Sequence, residues 1–490
     1  MQHSVIAHQP LYYVPRTITN RAMVAYVLAL VACNVLYIHY ALTWYWWLFG
    51  IAEVCGFFYY ANVLTKQRAL WTPKTFVKKL FWTAFAVRVI YVLFSYVFYI
   101  VMTGQPFEMG SADAWIYHLT AKDMAGAMRN GDFNIPEILD HAYGSYVTLS
   151  DTGFPTYLSF VYLLTFDSVL AVRILNALWS SLTVVLIYRL ATRNFGEGIG
   201  RMAAILCLLM PNLIYYCGLH LKETEMTFLV VLFAERADYI MRRGKITIGP
   251  ACVLLLIAGM VFTFRTVLGA VLVLSLFTAL LLSSTRVVPW GKRILLLLIA
   301  TLFVGVIFLG RSGIGNDVYQ TLEEGGSNQK ANMEWRAVAN GKSGQNQSFA
   351  KYAGAAVFAP MIFTIPFPTM VDVAEQYNQM MIHGGNFVKN ITSFFTVLAL
   401  FILLFSGDWR KHVLPIAVLC GYLVVLVFSN FAQSERFHLP TIPFAMMFAA
   451  YAISYMRNPR YKRWYNYWCV IMFIAAIAWN WFKLAGRGMI

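Results

Sequence analysis

Residues Gly110-Ser111-Ala112-Asp113-Ala114-Trp115-Ile116-Tyr117 open the most acidic stretch of an otherwise basic and very apolar chain. Between Glu108 and Asp151 seven acidic residues face only Lys122 and Arg129. A segment so charged, set between long apolar runs, belongs in water. Other ionisable residues stand at the ends of apolar runs: Lys222, Glu223 and Glu225 at the start of one, Arg265 between two, and Glu435, Arg436 and His438 between two more. Such positions are costly unless the groups are paired or used. A carboxylate with three cations makes an anion-binding cleft that carries a base. Displacement at a sugar's anomeric carbon, with a lipid-linked phosphate leaving, needs this set. One carboxylate takes the proton from an incoming hydroxyl. Fixed cations stabilise the charge that grows on the phosphate. Phosphate leaves without being protonated, so the second carboxylic acid of a glycosidase is not required.

Each residue also has a plainer reading. Asp113 suits the N-cap of an amphipathic helix whose apolar and aromatic positions are Trp115, Ile116 and Leu119. Tyr117 lies one turn on, where it could line the site or anchor at the membrane interface. Lys222 and Glu225 have the spacing of a helical ion pair. Arg265 has no acidic neighbour in sequence, which favours phosphate binding. Arg436 can pair with Glu435 or reach the interface, and His438 can be a structural hydrogen bonder. Asp123 and Asp132 read as solvated loop residues.

The elements that must hold these groups are membrane spans. The chain has 490 residues, 60% of them hydrophobic and 12% charged, with mean hydropathy +0.62. That composition is polytopic and all-α. The net charge of +16 sits in short clusters between apolar runs, which speaks for positive-inside anchors and against a nucleic-acid partner. The seven cysteines fall in or beside apolar runs without metal or redox spacing, and so read as small core residues. The first run, long and without a small-residue cleavage site, reads as a retained span.

About 13 runs are long enough to be spans: residues 22–41, 44–64, 80–102, 169–190, 202–217, 226–241, 248–264, 267–282, 294–309, 387–405, 413–431, 439–455 and 469–482. Cytoplasmic placement of the N-terminus with Arg16 and Arg21, and of Lys66, Arg68, Lys74, Lys78 and Lys79, puts the Asp113 loop outside, three crossings from the N-terminus. Residues 155–166 make only half a span and read as re-entrant or interfacial. A full crossing there would move Arg189, Arg193, Arg242 and Arg243 outside, against the charge bias. Residues 311–351 read as a second external loop able to close over a substrate. Residues 353–370, interrupted by Pro360, Pro366 and Pro368, read as another interfacial piece. This divides the chain into N-terminal spans (1–103), a first external loop with its re-entrant segment (104–168), central spans (169–310), a second external loop (311–386) and C-terminal spans (387–490). There is no Asp-x-Asp, no HExxH and no His pair at ligand spacing, so a metal-independent reaction without cofactor is expected.

The pattern resembles the C-type glycosyltransferase superfamily, most closely the branch of the protein O-mannosyltransferases and lipid A aminoarabinose transferases. The resemblance rests on GSADAWIYHLTAKDMA at 110–125, on Pro155, Arg173, Asn176, Tyr188, Arg189 and Pro211, on LKETEMTF at 221–228, and on ERFHLPTIP at 435–443. Ala114 stands where many members have a second acidic residue, and two early spans are additional to the simplest family plan. The resemblance implies a helical bundle with Asp113 as catalytic base and external cations on the lipid phosphate. It implies a polyprenyl-phosphate sugar as donor, a glycan, lipid or protein acceptor, and a periplasmic or luminal active face, expected in the bacterial inner membrane. Tyr117, Lys222, Glu223, Arg265, Arg436 and His438 are the substrate-binding candidates. Two alternatives stay open: an O-antigen polymerase or ligase, and a lipid-linked glycan flippase or secondary transporter. A transporter would carry its charges near the midplane, commonly on duplicated halves. Here they stand at the outer edge, and no halves repeat.

Overall fold

With this many apolar residues and few places to satisfy a backbone amide in lipid, the chain has to close its hydrogen bonds within helices. A computed structural model describes residues 10–67, 71–110, 112–135, 137, 139, 149–243, 248–282, 298–299, 359–373, 376–429, 431–485, 487 and 489–490. Among the described residues there are helices and no strand; a single isolated bridge joins Ala41 to Val371.

The helices that matter here are α1 (Arg16–Leu36), α2 (Trp44–Gln67), α3 (Pro73–Thr103), α4 (Ala112–Arg129), α5 (Gly153–Thr165) and α6 (Val169–Phe195). They continue as α7 (Glu197–Leu209), α8 (Pro211–Cys217), α9 (Glu223–Arg243), α10 (Ile248–Phe264) and α11 (Thr266–Leu282). After α12 (Tyr377–Met381) the chain closes with α13 (His383–Ser406), α14 (Val413–Phe428), α15 (Ile442–Ser454) and α16 (Pro459–Ala485). Their ends follow local chemistry. α3 starts where the Thr72 side chain accepts the Thr75 N–H and Pro73 needs no donor partner, and stops at Gly104, whose φ of 74° favours glycine.

Among the described residues eight helices are long and apolar enough to cross a membrane, or nine if α7 and α8, bent by 50° at their break, make one span. The chain is an all-α, multi-pass membrane protein. The difference from about 13 expected spans has identifiable causes. Residues 226–241 are helical, but α9 carries Glu235, Arg236, Asp238, Arg242 and Arg243 as well as its first-turn acids, too many charges for a span by composition. Residues 248–264 and 267–282 lie on helices of which 17 residues each are described, fewer than the roughly 20 a bilayer needs. The expected span 294–309 and the loop 311–351 lie outside the described residues. Residues 155–166 fall on the 13-residue α5, half a span as expected.

Small residues let spans approach closely. A Cβ at Gly50 would lie 2.0 Å from the Tyr26 hydroxyl, and one at Gly384 would lie 2.6 Å from the Gly50 carbonyl and from Glu53 Oε2. Glu53 uses that proximity to accept the Gly385 N–H at 2.8 Å, in the first turn of α13. The first-turn amides and the helix dipole offset part of the cost of burying this carboxyl group.

α9 fixes the long axis. About 20 residues at 1.5 Å per residue separate its ends by roughly 30 Å, a bilayer core. At its last turns Arg193 of α6 bonds Glu235 (2.8 Å) and Asp238 (2.9 Å), and Arg242 bonds Asp238 (2.9 Å) and Asn194 (2.8 Å). His412 reaches Asn194 at 2.8 Å. These groups mark the end that charge bias assigns to the cytoplasm. Glu223 begins the opposite end.

Candidate active site at the acidic end

α4 carries the loop carboxylate. Asp113 is the second residue of that helix, in its first turn, so its position is not that of an N-cap; a first-turn carboxylate still gains from the dipole. The buried face of α4 is Ala114, Tyr117, Ala121, Met124, Ala125 and Met128, while Trp115, Ile116 and Leu119 are exposed. The helix is therefore oriented opposite to the expected amphipathic face. Ala114, Ala121 and Ala125 pack inward, where small side chains let backbones approach, and the bulkier Trp115, Ile116 and Leu119 face outward. Tyr117 is buried against Phe154 of α5, ring centroids 5.1 Å apart.

Asp113, Glu223, Arg265 and Arg436 come together from four separate parts of the chain. Arg436 donates from Nη1 to Asp113 Oδ2 at 2.6 Å and places Nε 3.6 Å from Glu223 Oε1. Arg265 Nη2 lies 4.0 Å from the same Glu223 oxygen. Both guanidiniums lie by the ring of Phe437, 4.2 Å (Arg265) and 5.0 Å (Arg436) from its centroid. Exposure orders them by depth: the Glu223 side chain is 2% exposed, that of Arg436 30% and that of Asp113 42%. One buried carboxylate thus holds two arginines from below, and the more open Asp113 meets one of them at the mouth.

Local structure explains the placement. Arg265 is the single residue between α10 and α11, and its N–H closes on the Val261 carbonyl at 2.8 Å. That corner turns the guanidinium toward α9 and α14, where Nη1 donates to the Tyr422 hydroxyl at 3.2 Å. Arg436 and Phe437 lie in a 3-10 turn, Glu435–Thr441, leading into α15. Lys222 immediately precedes α9. Its Nζ donates to the Ser150 carbonyl at 3.1 Å and sits 5.8 Å from the Tyr117 ring centroid. Ser150 Oγ accepts the Thr266 N–H at 3.1 Å, which ties the Lys222 corner to the Arg265 corner.

Five of the six proposed binding residues, Tyr117, Lys222, Glu223, Arg265 and Arg436, therefore share one region with Asp113. His438 is buried and bonds the Ala432 carbonyl through Nε2 at 2.8 Å, the part of a structural hydrogen bonder. Both Glu225 oxygens are buried without a hydrogen-bond partner, so Lys222 does not pair with Glu225. Sequence reasoning missed Tyr422 and Phe437. Nothing in an apolar run distinguishes Tyr422, whereas Phe437 could have been noticed as the ring between Arg436 and His438.

A second polar group lies on the other side of α4. His118 Nδ1 meets the Tyr162 hydroxyl at 2.6 Å, and that hydroxyl meets His220 Nε2 at 3.2 Å. Arg129 closes the α4–α5 hairpin with bonds to the Tyr162 carbonyl (2.8 Å) and Asp167 (2.7 Å). Burial lowers the pKa of His118, with Lys122 adding to the effect, and lowers that of His220 further, with Arg173 and His118 adding to it. A histidine held neutral in the fold binds fewer protons than when unfolded. Stability is then full above the ordinary histidine value of about 6.5 and falls as pH drops through it toward the lowered values. Thermal unfolding in detergent should show a falling midpoint between pH 7.5 and 5.5. His220→Gln should flatten that profile; an unchanged slope would remove the two histidines as its cause.

Among the described residues no group of three or more His, Cys, Asp and Glu side chains is arranged to hold a metal ion. No family model matches the chain, and no curated protein matches its sequence.

Proposed function

We propose that this protein is a C-type membrane glycosyltransferase, which moves a sugar from a polyprenyl phosphate to an acceptor hydroxyl at the Asp113 end of the bundle. The single observation carrying this reading is the Asp113–Arg436–Glu223–Arg265 constellation, a base within 2.6 Å of a cation at one end of the spans. In the reaction, Asp113 takes the proton of the acceptor hydroxyl while the acceptor oxygen bonds the anomeric carbon. The bond from that carbon to the phosphate oxygen breaks, and its electron pair leaves with the phosphate. The donor phosphodiester carries one negative charge and the departing monoester carries more. Arg436 and Arg265, already oriented by Glu223 and Phe437, meet that extra charge without having to reorganise. Attack from the face opposite the leaving group inverts the anomeric centre. Lys222 and Tyr117 line the approach, and no metal or cofactor takes part in the step as written. The acceptor, a glycan, lipid or protein, arrives from the periplasmic side of a bacterial inner membrane.

The test is transfer by the purified protein, with polyprenyl-phosphate sugars of several kinds offered to a cell-envelope extract. Labelled acceptor and released polyprenyl phosphate are expected together. An O-antigen polymerase or ligase would instead need its arginines and tolerate loss of Asp113. A protein that consumes no donor, yet moves lipid-linked glycan across vesicles, would be a flippase.

A further inference from the structure

α1 and α16 run parallel and in register. The Tyr465 hydroxyl bonds the Ile18 carbonyl at 3.0 Å, Arg21 bonds Asn466, and 15 residues further along both helices Asn480 reaches Cys33. Their first turns therefore lie at the same end. The first two turns and the residues just before them carry Arg16, Arg21, Arg457, Arg460, Lys462 and Arg463, all exposed. No carboxylate offsets them within either helix, because the first acidic residue of the sequence is Glu53 and the last is Glu435.

Just beyond the Arg21–Asn466 contact the two helices part to leave an open groove of about 490 Å³, the size of sites that take a drug-sized molecule. Its floor and walls include Val24 and Leu28 from α1 and Val470 and Phe473 from α16. Val24, Leu28 and Val470 are each more than half exposed. Depth can be read from the neighbouring aromatics: Trp464 and Tyr467 are exposed on α16, the position of an interfacial belt, and exposed Val470, Ile471 and Ile474 follow at the level of acyl chains. Arg21 and Asn466 thus stand at headgroup height, with the apolar groove on their membrane side.

We propose that this groove is a binding site for an anionic glycerophospholipid from the leaflet at the cationic end, with its phosphate on Arg21 and Arg463 and an acyl chain along Val24, Leu28, Val470 and Phe473. A zwitterionic lipid would fill the same apolar groove but bring an ammonium into a field of six cations that neither helix offsets with a carboxylate of its own. The site is independent of the reaction proposed above, and the arrangement discriminates by charge at the mouth and by shape below it.

Delipidated full-length protein in detergent would be titrated with dioleoyl phosphatidylglycerol or dioleoyl phosphatidylcholine and bound lipid counted by native mass spectrometry. Phosphatidylglycerol is expected to bind about 25-fold tighter, about fivefold for each of the two arginines, with a preference that shrinks in high salt. The double change Arg21→Ala with Arg463→Ala should weaken it about 25-fold, at about fivefold per cation lost, and leave phosphatidylcholine binding as it was. Val24→Trp, at an exposed position, fills the groove without touching the charge and should weaken both lipids, while the melting temperature shows that the fold is retained. Equal binding of the two lipids, an unaltered phosphatidylglycerol affinity in the double variant, or equally tight binding of water-soluble glycerol phosphate would each overturn the proposal.

Discussion

Replacing Asp113 with asparagine should cut turnover by about 10²- to 10⁴-fold, the contribution a positioned general base makes, and leave donor affinity within about twofold. The substitution separates two roles that the geometry joins. Arg436 donates to Asp113 Oδ2, and an amide oxygen can accept the same N–H, so the orientation of Arg436 survives. Only proton acceptance is lost. The measurement is single-turnover transfer with saturating donor, beside donor binding by the same preparation. Were Asp113→Asn to turn over at near the wild-type rate, the carboxylate would be a positioning group for Arg436, and the base would have to be sought elsewhere. Loss of donor binding together with turnover would instead make the residue part of the donor site.

How far this could be foreseen depends on the kind of signal. Asp113, Lys222, Glu223, Arg265 and Arg436 were legible because a charge at the edge of an apolar run is expensive, and sidedness bookkeeping then puts all of them at one end. The bundle does bring Asp113, Glu223, Arg265 and Arg436 into contact, with Lys222 tied to the same region through Ser150 and Tyr117. The facing of α4 was not legible: the pattern marks Trp115, Ile116 and Leu119 as the buried stripe, whereas the bundle packs Ala114, Tyr117, Ala121 and Ala125 inward and leaves those three exposed. Span counting meets a related limit at α9, whose charges fail a composition test although neighbours pair them, Arg193 with Glu235 and Asp238, and hydropathy cannot see a partner that lies more than 40 residues away. Buried cations inside spans carry the same lesson. Arg88 is fully buried yet bonds Ser180 at 2.6 Å, and Arg173, one of the residues supporting the family resemblance, bonds the Pro106 carbonyl between Tyr96 and Tyr99. Read from sequence alone, either could have been taken for a site residue.

Arg436→Ala is expected to have the larger effect on kcat/KM, at least about 10³-fold, corresponding to about 4 kcal/mol of transition-state stabilisation. Three connections end at this guanidinium: Asp113, Glu223 and the face of Phe437. Its removal takes away a cation for the departing phosphate and also leaves Asp113 without its anchor and Glu223 with Arg265 alone. Lysine should not restore activity, because a single ammonium cannot reproduce the planar fork that serves two carboxylates and stacks on a ring. Residues that act as one unit do not have additive losses. The double variant, Asp113→Asn with Arg436→Ala, should therefore be little worse than Arg436→Ala by itself, far short of the product of the two single losses. Four kcat/KM values close that cycle, and melting temperatures distinguish lost chemistry from lost fold. A double variant whose loss equals the product would mean that the 2.6 Å contact has no part in turnover. Arg265 would then be the better candidate for the phosphate, since it keeps Glu223, Tyr422 and Phe437 in every one of these variants.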